Sequence, residues 1–213
     1  MIVLGSGGHT AEMLKLLPKF NLHIYRPRSY VVAATDRLSA DKARALEALI
    51  AQSEVADDGQ AAAASSQDSK QVRAPRRAMH PKLPLDAPPS PSPAFDVRVI
   101  PRSREVGQGI ASSALSSARA LVATIPMVLR ARPDLVLVNG PGTCVPICLA
   151  ALLIRVLGLG RGRIVYVESI ARVTRLSLTG KILYHCRLAS LFFVQWDELL
   201  VRYPRATYAG RLM

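Results

Sequence analysis

The chain opens Ile2-Val3-Leu4-Gly5-Ser6-Gly7-Gly8-His9-Thr10, and this stretch decides the fold. Three aliphatic residues read as a short buried strand. The glycines behind them allow the positive φ and close backbone approach of a strand-to-helix turn. The same arrangement returns four times. Tyr30–Ala34 ends at Thr35-Asp36, and Val97–Ile100 at Pro101-Arg102-Ser103-Arg104-Glu105. Leu135–Val138 ends at Asn139-Gly140-Pro141-Gly142-Thr143, and Ile164–Val167 at Glu168-Ser169. In an open parallel sheet the carboxyl ends of the strands share one edge, and ligands bind in the crevice there. Five polar motifs therefore converge on one edge, the pattern of a single large anion or sugar site.

Helical spacing fills the gaps between strands. Met13, Leu14, Leu16 and Leu17 form a face closed by Pro18, and Ser39 is placed to cap a second helix with Leu46, Leu49 and Ile50 inward. A long helix is expected from Ala111 to Arg130, kinked at Pro126, and another from Val145 to Leu157 that is apolar nearly all round. Ser177–Leu188 reads as a further helix and Leu191–Gln195 as a sixth strand. Strand and helix alternate throughout, which predicts an α/β, doubly wound, Rossmann-like parallel sheet. Residues 51–94 interrupt it with seven of the fifteen prolines, an Ala run and no aromatic residue. Such a segment cannot bury enough apolar surface to offset its ordering entropy. The expectation is one domain built from residues 1–50 and 95–213, with 51–94 a disordered low-complexity insertion.

The net charge of +13 is uneven: residues 98–213 hold sixteen Lys and Arg against five Asp and Glu. A basic, apolar C-terminal half suits an anionic membrane surface or a phosphorylated ligand. Nucleic acid is disfavoured, because no binding motif frames the aromatic residues of that half. Cys144, Cys148 and Cys186 have no zinc spacing and read as free thiols in a reducing compartment. Met1 leads directly into the first strand, which argues against a signal peptide. The longest apolar run, Cys144–Ile154, is broken by Pro146 and is shorter than the about 20 residues a spanning helix needs. No anchor helix is expected.

Each motif has a chemical reading and a plainer one. Gly5, Ser6, Gly7, Gly8 and Thr10 sit where a helix N-terminus offers free N–H groups to phosphate, and a ligandless tight turn is the alternative. A nicotinamide fingerprint wants a third glycine where Thr10 stands, so a phosphate or diphosphate cradle is favoured over a dinucleotide fold. His9, in the first helical turn, reads as a base, a phosphate donor or a simple cap. Asn139, Gly140, Gly142 and Thr143 repeat the turn, with Thr143 placed to cap its helix. Arg102 and Arg104 set two guanidiniums beside the crevice, whose forks match phosphate geometry. Glu168 and Ser169 end a very apolar strand, where a carboxylate is either a site group or a partner of Arg172 or Arg175. His9 is the first candidate for general base and Glu168 the second. Tyr203, Tyr208, Arg211, Leu212 and Met213 give the C-terminal tail the aromatic, Arg-rich composition of a partner interface.

These motifs, with Val165–Ile170, Ser177-Leu178, Gly180–Leu183, Val194-Gln195-Trp196, Tyr203-Pro204 and Tyr208–Arg211, resemble one family across the chain apart from 51–94. It is the membrane-recruiting, acceptor-binding subunit of the eukaryotic UDP-N-acetylglucosamine transferase of asparagine-linked glycosylation. The resemblance implies the N-terminal half of a glycosyltransferase-B fold, similar to the acceptor domain of the bacterial lipid-linked transferase of peptidoglycan synthesis. It also implies an inverting transfer of a second N-acetylglucosamine (GlcNAc) to GlcNAc-diphosphodolichol. A donor-binding catalytic partner would bring UDP-GlcNAc, and the chain alone would be inactive. The implied place is the cytosolic face of the endoplasmic reticulum membrane, with the nuclear membrane as a further site, and no metal or cofactor is implied. Family members usually carry a hydrophobic anchor helix ahead of the first strand. Two other classes remain: a stand-alone nucleotide-binding oxidoreductase with Asp36 on a ribose, and a membrane scaffold with an unused crevice.

Overall fold

A computed structural model describes residues 1–22, 24–67, 95–101 and 110–213. Seven strands form one sheet: β1 (Ile2–Val3), β2 (Arg28–Ala33), β3 (Phe95–Ile100), β4 (Leu135–Val138), β5 (Arg163–Val167), β6 (Leu191–Val194) and β7 (Thr207–Tyr208). They lie in the order β3-β2-β1-β4-β5-β6-β7, and each neighbouring pair is parallel. The helices are α1 (Gly8–Leu16), α2 (Arg37–Gln67), α3 (Ile110–Ala131), α4 (Cys144–Val156), α5 (Leu178–His185) and α6 (Glu198–Arg202). The expected doubly wound Rossmann-like α/β fold is the one observed. The last strand and α6 fall in a stretch too short for periodicity to announce.

Period-two alternation divides the core between the two faces of the sheet. Val3, Val31, Val136, Val138, Ile164 and Tyr166 meet Val128 of α3, Ile147 and Ile154 of α4 and Leu183 of α5. Ile2, Leu4, Tyr30, Val32, Leu137 and Val167 meet Met13 and Leu16 of α1 and Ala40 and Ala43 of α2. The apolar helix α4 is deeply buried over most of its length, with Leu153 and Val156 exposed. Among the described residues no helix is long and apolar enough to cross a membrane.

Three local expectations need correction. Helix α2 continues to Gln67, so residues 51–67 are helical; Ala-rich sequence favours helix, and the first proline of the segment is Pro75. Residues 68–94 lie outside the described set. Leu49 points to solvent, 63 % exposed, and Glu47 is the residue turned inward. Its carboxylate accepts from Arg28 Nε at 2.6 Å and from Tyr30 hydroxyl at 2.6 Å, which pins α2 to β2 with a buried ion pair. Ser39 does not cap α2. Asp36, just ahead of the helix, does so by accepting from Ser39 N at 3.1 Å.

Candidate functional site

Strands β1 and β4 are neighbours although β2, α2, β3 and α3 separate them in sequence. Behind β1 the chain leaves for α1 on one face, and behind β4 it leaves for α4 on the other. Their divergence opens a crevice at the topological switch point of the sheet. The two glycine loops predicted to share a site are thus brought together there, and glycine is what lets them touch. A Cβ on Gly5 would lie 2.7 Å from Pro141 Cγ and 2.8 Å from His9 Cβ. Gly140 has φ +93°, and a Cβ on it would lie 3.2 Å from His9 Cε1. The His9 imidazole therefore rests against the bare Gly140 backbone. Asn139, 0 % exposed, holds the arrangement by donating Nδ2 to the His9 carbonyl at 2.6 Å.

Ser6, Gly7 and Gly8 are exposed on the crevice side. Gly7 has φ +61°, and a Cβ on either Gly7 or Gly8 would meet nothing within 4 Å. Room remains for a ligand where the first turn of α1 presents N–H groups that no helix can satisfy internally. Beside them three buried polar atoms have no partner: His9 Nδ1, Glu12 Oε2 and Asn139 Oδ1. His9 Nδ1 and Glu12 Oε2 face each other at 3.6 Å, which leaves Asn139 Oδ1 as the atom without a counterpart among the described residues. A buried polar atom left unpaired costs about 1–3 kcal/mol, so it marks a place for a ligand donor.

The remaining expected residues fall elsewhere. Thr10 is buried and its hydroxyl is shared with Ser39 Oγ at 2.6 Å, behind the cradle rather than in it. Thr143 does not cap α4: its backbone is helical and its side chain makes no cap hydrogen bond, because the third helical residue is Pro146, which has no N–H, and Val145 N already donates to Gly142 O at 3.3 Å. Gly142 lies exposed at the turn. Arg102 and Arg104 lie outside the described residues. Asp36 caps α2 by accepting from Ser39 N and, at 2.6 Å, from Ser39 Oγ, a local structural role for the residue that an oxidoreductase would set on a ribose.

Glu168 is 0 % exposed and enclosed by donors. Tyr166 hydroxyl and Ser169 N each donate to Oε1 at 3.1 Å, and Ser177 N donates to Oε2 at 2.9 Å. Burial nevertheless dominates and raises its carboxyl above the ordinary value. Gly180 belongs to the same enclosure, since a Cβ there would run into Glu168 Oε2. Glu168 thus ties the end of β5 to the start of α5, with neither Arg172 nor Arg175 among its partners. Ser169, by contrast, reaches the crevice and donates its hydroxyl to Glu12 Oε1 at 2.7 Å. Glu12 is the residue that sequence reasoning missed. Its signal was the i,i+3 spacing from His9, which sets both on one helical face.

The expected partner interface divides. Tyr203 is 5 % exposed, edge-on to Tyr184 at 5.2 Å, and so belongs to this chain's own core. Tyr208 is exposed on the edge strand, and the Arg211 guanidinium lies 4.5 Å over the Trp196 ring. Leu212 N and Met213 N both donate to Gln195 Oε1, at 3.0 and 3.1 Å, so the tail is docked. Two hollows stand apart from the crevice. One of about 490 Å³ lies at the amino edge of the sheet, among Tyr25, Arg28, Arg98 and Arg132. Another of about 710 Å³ lies against Val165, Leu191, Phe193 and Leu212. Neither is lined by His9, Glu12 or Asn139. No group of three or more His, Cys, Asp or Glu side chains among the described residues is placed to hold a metal.

The family model described as "Oligosaccharide biosynthesis protein Alg14 like" matches residues 1–212. The mouse UDP-N-acetylglucosamine transferase subunit ALG14 is 42 % identical over 213 residues, covering 100 % of this chain and 82 % of the relative. The human subunit of that name is 40 % identical, with the same coverage of 100 % and 82 %. The Schizosaccharomyces pombe subunit is 34 % identical over 213 residues, covering 99 % of this chain and 81 % of the relative. The chain belongs to the Alg14-like family of oligosaccharide biosynthesis proteins.

Proposed function

We propose that this chain is the acceptor-binding subunit of a UDP-GlcNAc transferase, adding the second GlcNAc to GlcNAc-diphosphodolichol at the cytosolic face of the endoplasmic reticulum. The observation that carries the reading is the meeting of two glycine loops at the β1/β4 switch point, beside the His9 imidazole and the unpaired Asn139 Oδ1. The N–H groups behind Gly7 and Gly8 would take the diphosphate, and Asn139 Oδ1 would accept from a sugar hydroxyl. A separate donor-binding subunit would bring UDP-GlcNAc, and this chain, the N-terminal half of a glycosyltransferase-B enzyme, would recruit it to the membrane. The basic surplus of residues 98–213 suits an anionic lipid surface.

In the reaction a hydroxyl oxygen of the acceptor GlcNAc attacks the anomeric carbon of the donor. The bond to UDP breaks with its electron pair, and the hydroxyl proton passes to a base. His9 is our choice of base, because it borders the cradle and its imidazole can accept a proton from a bound hydroxyl. Glu168 is placed to shape the loop, its carboxylate being wholly engaged by neighbours.

The test is reconstitution with a donor-binding subunit, UDP-GlcNAc and a GlcNAc-diphosphate lipid. The pair should add one GlcNAc and the single chain none; turnover by the single chain, or none by the pair, refutes the proposal. In the pair His9→Ala should lower kcat by roughly 10²–10⁴-fold. A loss below tenfold would assign the base to another group.

A further inference from the structure

Resting on that reading, we propose that Glu12 is the positioning residue for His9, its carboxylate seated by Ser169 and its free oxygen aimed at the imidazole. Three observations meet at this carboxylate. Oε1 accepts the Ser169 hydroxyl at 2.7 Å, which fixes the side chain from the end of β5. Oε2 is buried without a hydrogen-bond partner, and so is His9 Nδ1. The two unpaired atoms are 3.6 Å apart. A small rotation of either side chain closes that gap to a hydrogen bond of about 2.7–2.9 Å, the usual length of a charge-assisted pair.

The pairing has a chemical consequence. With Nδ1–H donated to Glu12, the neutral imidazole has its lone pair on Nε2, the nitrogen left for an acceptor hydroxyl. When the proton arrives the carboxylate stabilises the imidazolium. Carboxylate partners of catalytic histidines act in this way, by fixing tautomer and orientation. Gly140 confines the ring from the other side, so that imidazole, carboxylate and hydroxyl form one stack across α1, the β4 loop and β5. Near this stack the buried Cys144 thiol faces the Asn139 and Gly140 backbone, and two further titratable groups of the described residues stand beyond Gly140, the Tyr166 hydroxyl and the enclosed Glu168 carboxylate. Both hydrogen-bond with each other and with Ser177 rather than with His9.

The experiment uses the reconstituted pair with Glu12→Gln, Glu12→Asp, Ser169→Ala, His9→Ala and the His9→Ala/Glu12→Gln double variant. Glu12→Gln should lower kcat less than removal of the base does, about 10- to 100-fold, with the acceptor KM within about twofold. Removing the anion weakens the imidazolium, so the acid limb of the pH–rate profile should move to lower pH. Ser169→Ala should move the limb the same way by less, and Glu12→Asp should recover part of kcat. On the His9→Ala background, Glu12→Gln should add no further loss, because it acts through His9. A kcat at parity in Glu12→Gln overturns the inference. So does an unmoved acid limb, or an equal loss with and without His9. Should Glu12→Gln fail to fold, Ser169→Ala and Glu12→Asp decide by the same limb shift. A wild-type pair without turnover overturns the reading beneath; a working wild-type pair indifferent to Glu12 overturns this inference alone.

Discussion

Gly140→Ala is the most informative single substitution, because two costs at that position separate cleanly. The residue has φ +93°, a region L side chains rarely adopt, and the new Cβ would lie 3.2 Å from His9 Cε1 and 3.6 Å from His9 Nδ1. The backbone cost is about 1–2 kcal/mol, which lowers Tm by about 2–8 °C in a domain of this size. The contact cost falls on the ring. Carbon pairs settle about 3.5–4.0 Å apart, so the imidazole must retreat by a few tenths of an ångström. A 1 Å misplacement of a reacting group costs about 10²-fold, so kcat should fall about three- to tenfold. Gly7→Ala is the matched control. It also sits at positive φ, +61°, but its Cβ meets nothing in the chain within 4 Å. It should carry a similar stability cost, leave kcat nearly intact and raise the acceptor KM. The assay is steady-state transfer by the reconstituted pair, with Tm measured on the same preparations. A folded Gly140→Ala pair with wild-type kcat, or two variants with indistinguishable kinetic signatures, would refute the placement of His9 over Gly140.

Further outcomes follow from other parts of the fold. Glu47→Ala strands the buried Arg28 guanidinium, and denaturant unfolding should report a loss of about 3–5 kcal/mol; a loss under 1 kcal/mol would show the pair to be solvated. Burial pushes the Cys148 thiol up to about 12 and raises Cys144 well above its ordinary value, while Cys186 is exposed. Both buried thiols therefore stay protonated at pH 8.5, and alkylation there should modify Cys186 alone in the native chain, with all three reacting in denaturant. Deleting Gly210–Met213 removes both donors to Gln195 Oε1 and should lower Tm as well as weakening partner association. An unchanged Tm would restore the view of the tail as a purely external contact.

The fold was readable because β1, β4 and β5 are short apolar runs ended by Gly, Asn or Glu, signals that survive without any tertiary information. The juxtaposition of Gly5–Thr10 with Asn139–Thr143 followed from parallel topology alone, since every strand's carboxyl end must share one edge. Side-chain commitments inside the site were not readable. Thr10 looked like a phosphate ligand, and only the position of α2 shows its hydroxyl taken by Ser39. Glu168 looked like a site carboxylate, and its donors arrive from Tyr166 and from Ser177 at the head of α5. Tyr203 looked like an interface aromatic because composition cannot distinguish a buried ring from an exposed one. Glu12 went unnoticed because a lone acidic residue in a helix is most often a solvated side chain, and only the position of β5 shows its carboxylate met by Ser169.

The most direct measurement of the central claim is photo-crosslinking of the reconstituted pair with a GlcNAc-diphosphate lipid bearing a diazirine next to the diphosphate. If the acceptor sits at the switch point, labelled peptides should carry Gly5–Thr10 and Asn139–Thr143, and Gly7→Val should abolish the label. Labelling confined to the opposite edge of the sheet, around Tyr25, Arg28, Arg98 and Arg132, would contradict the account.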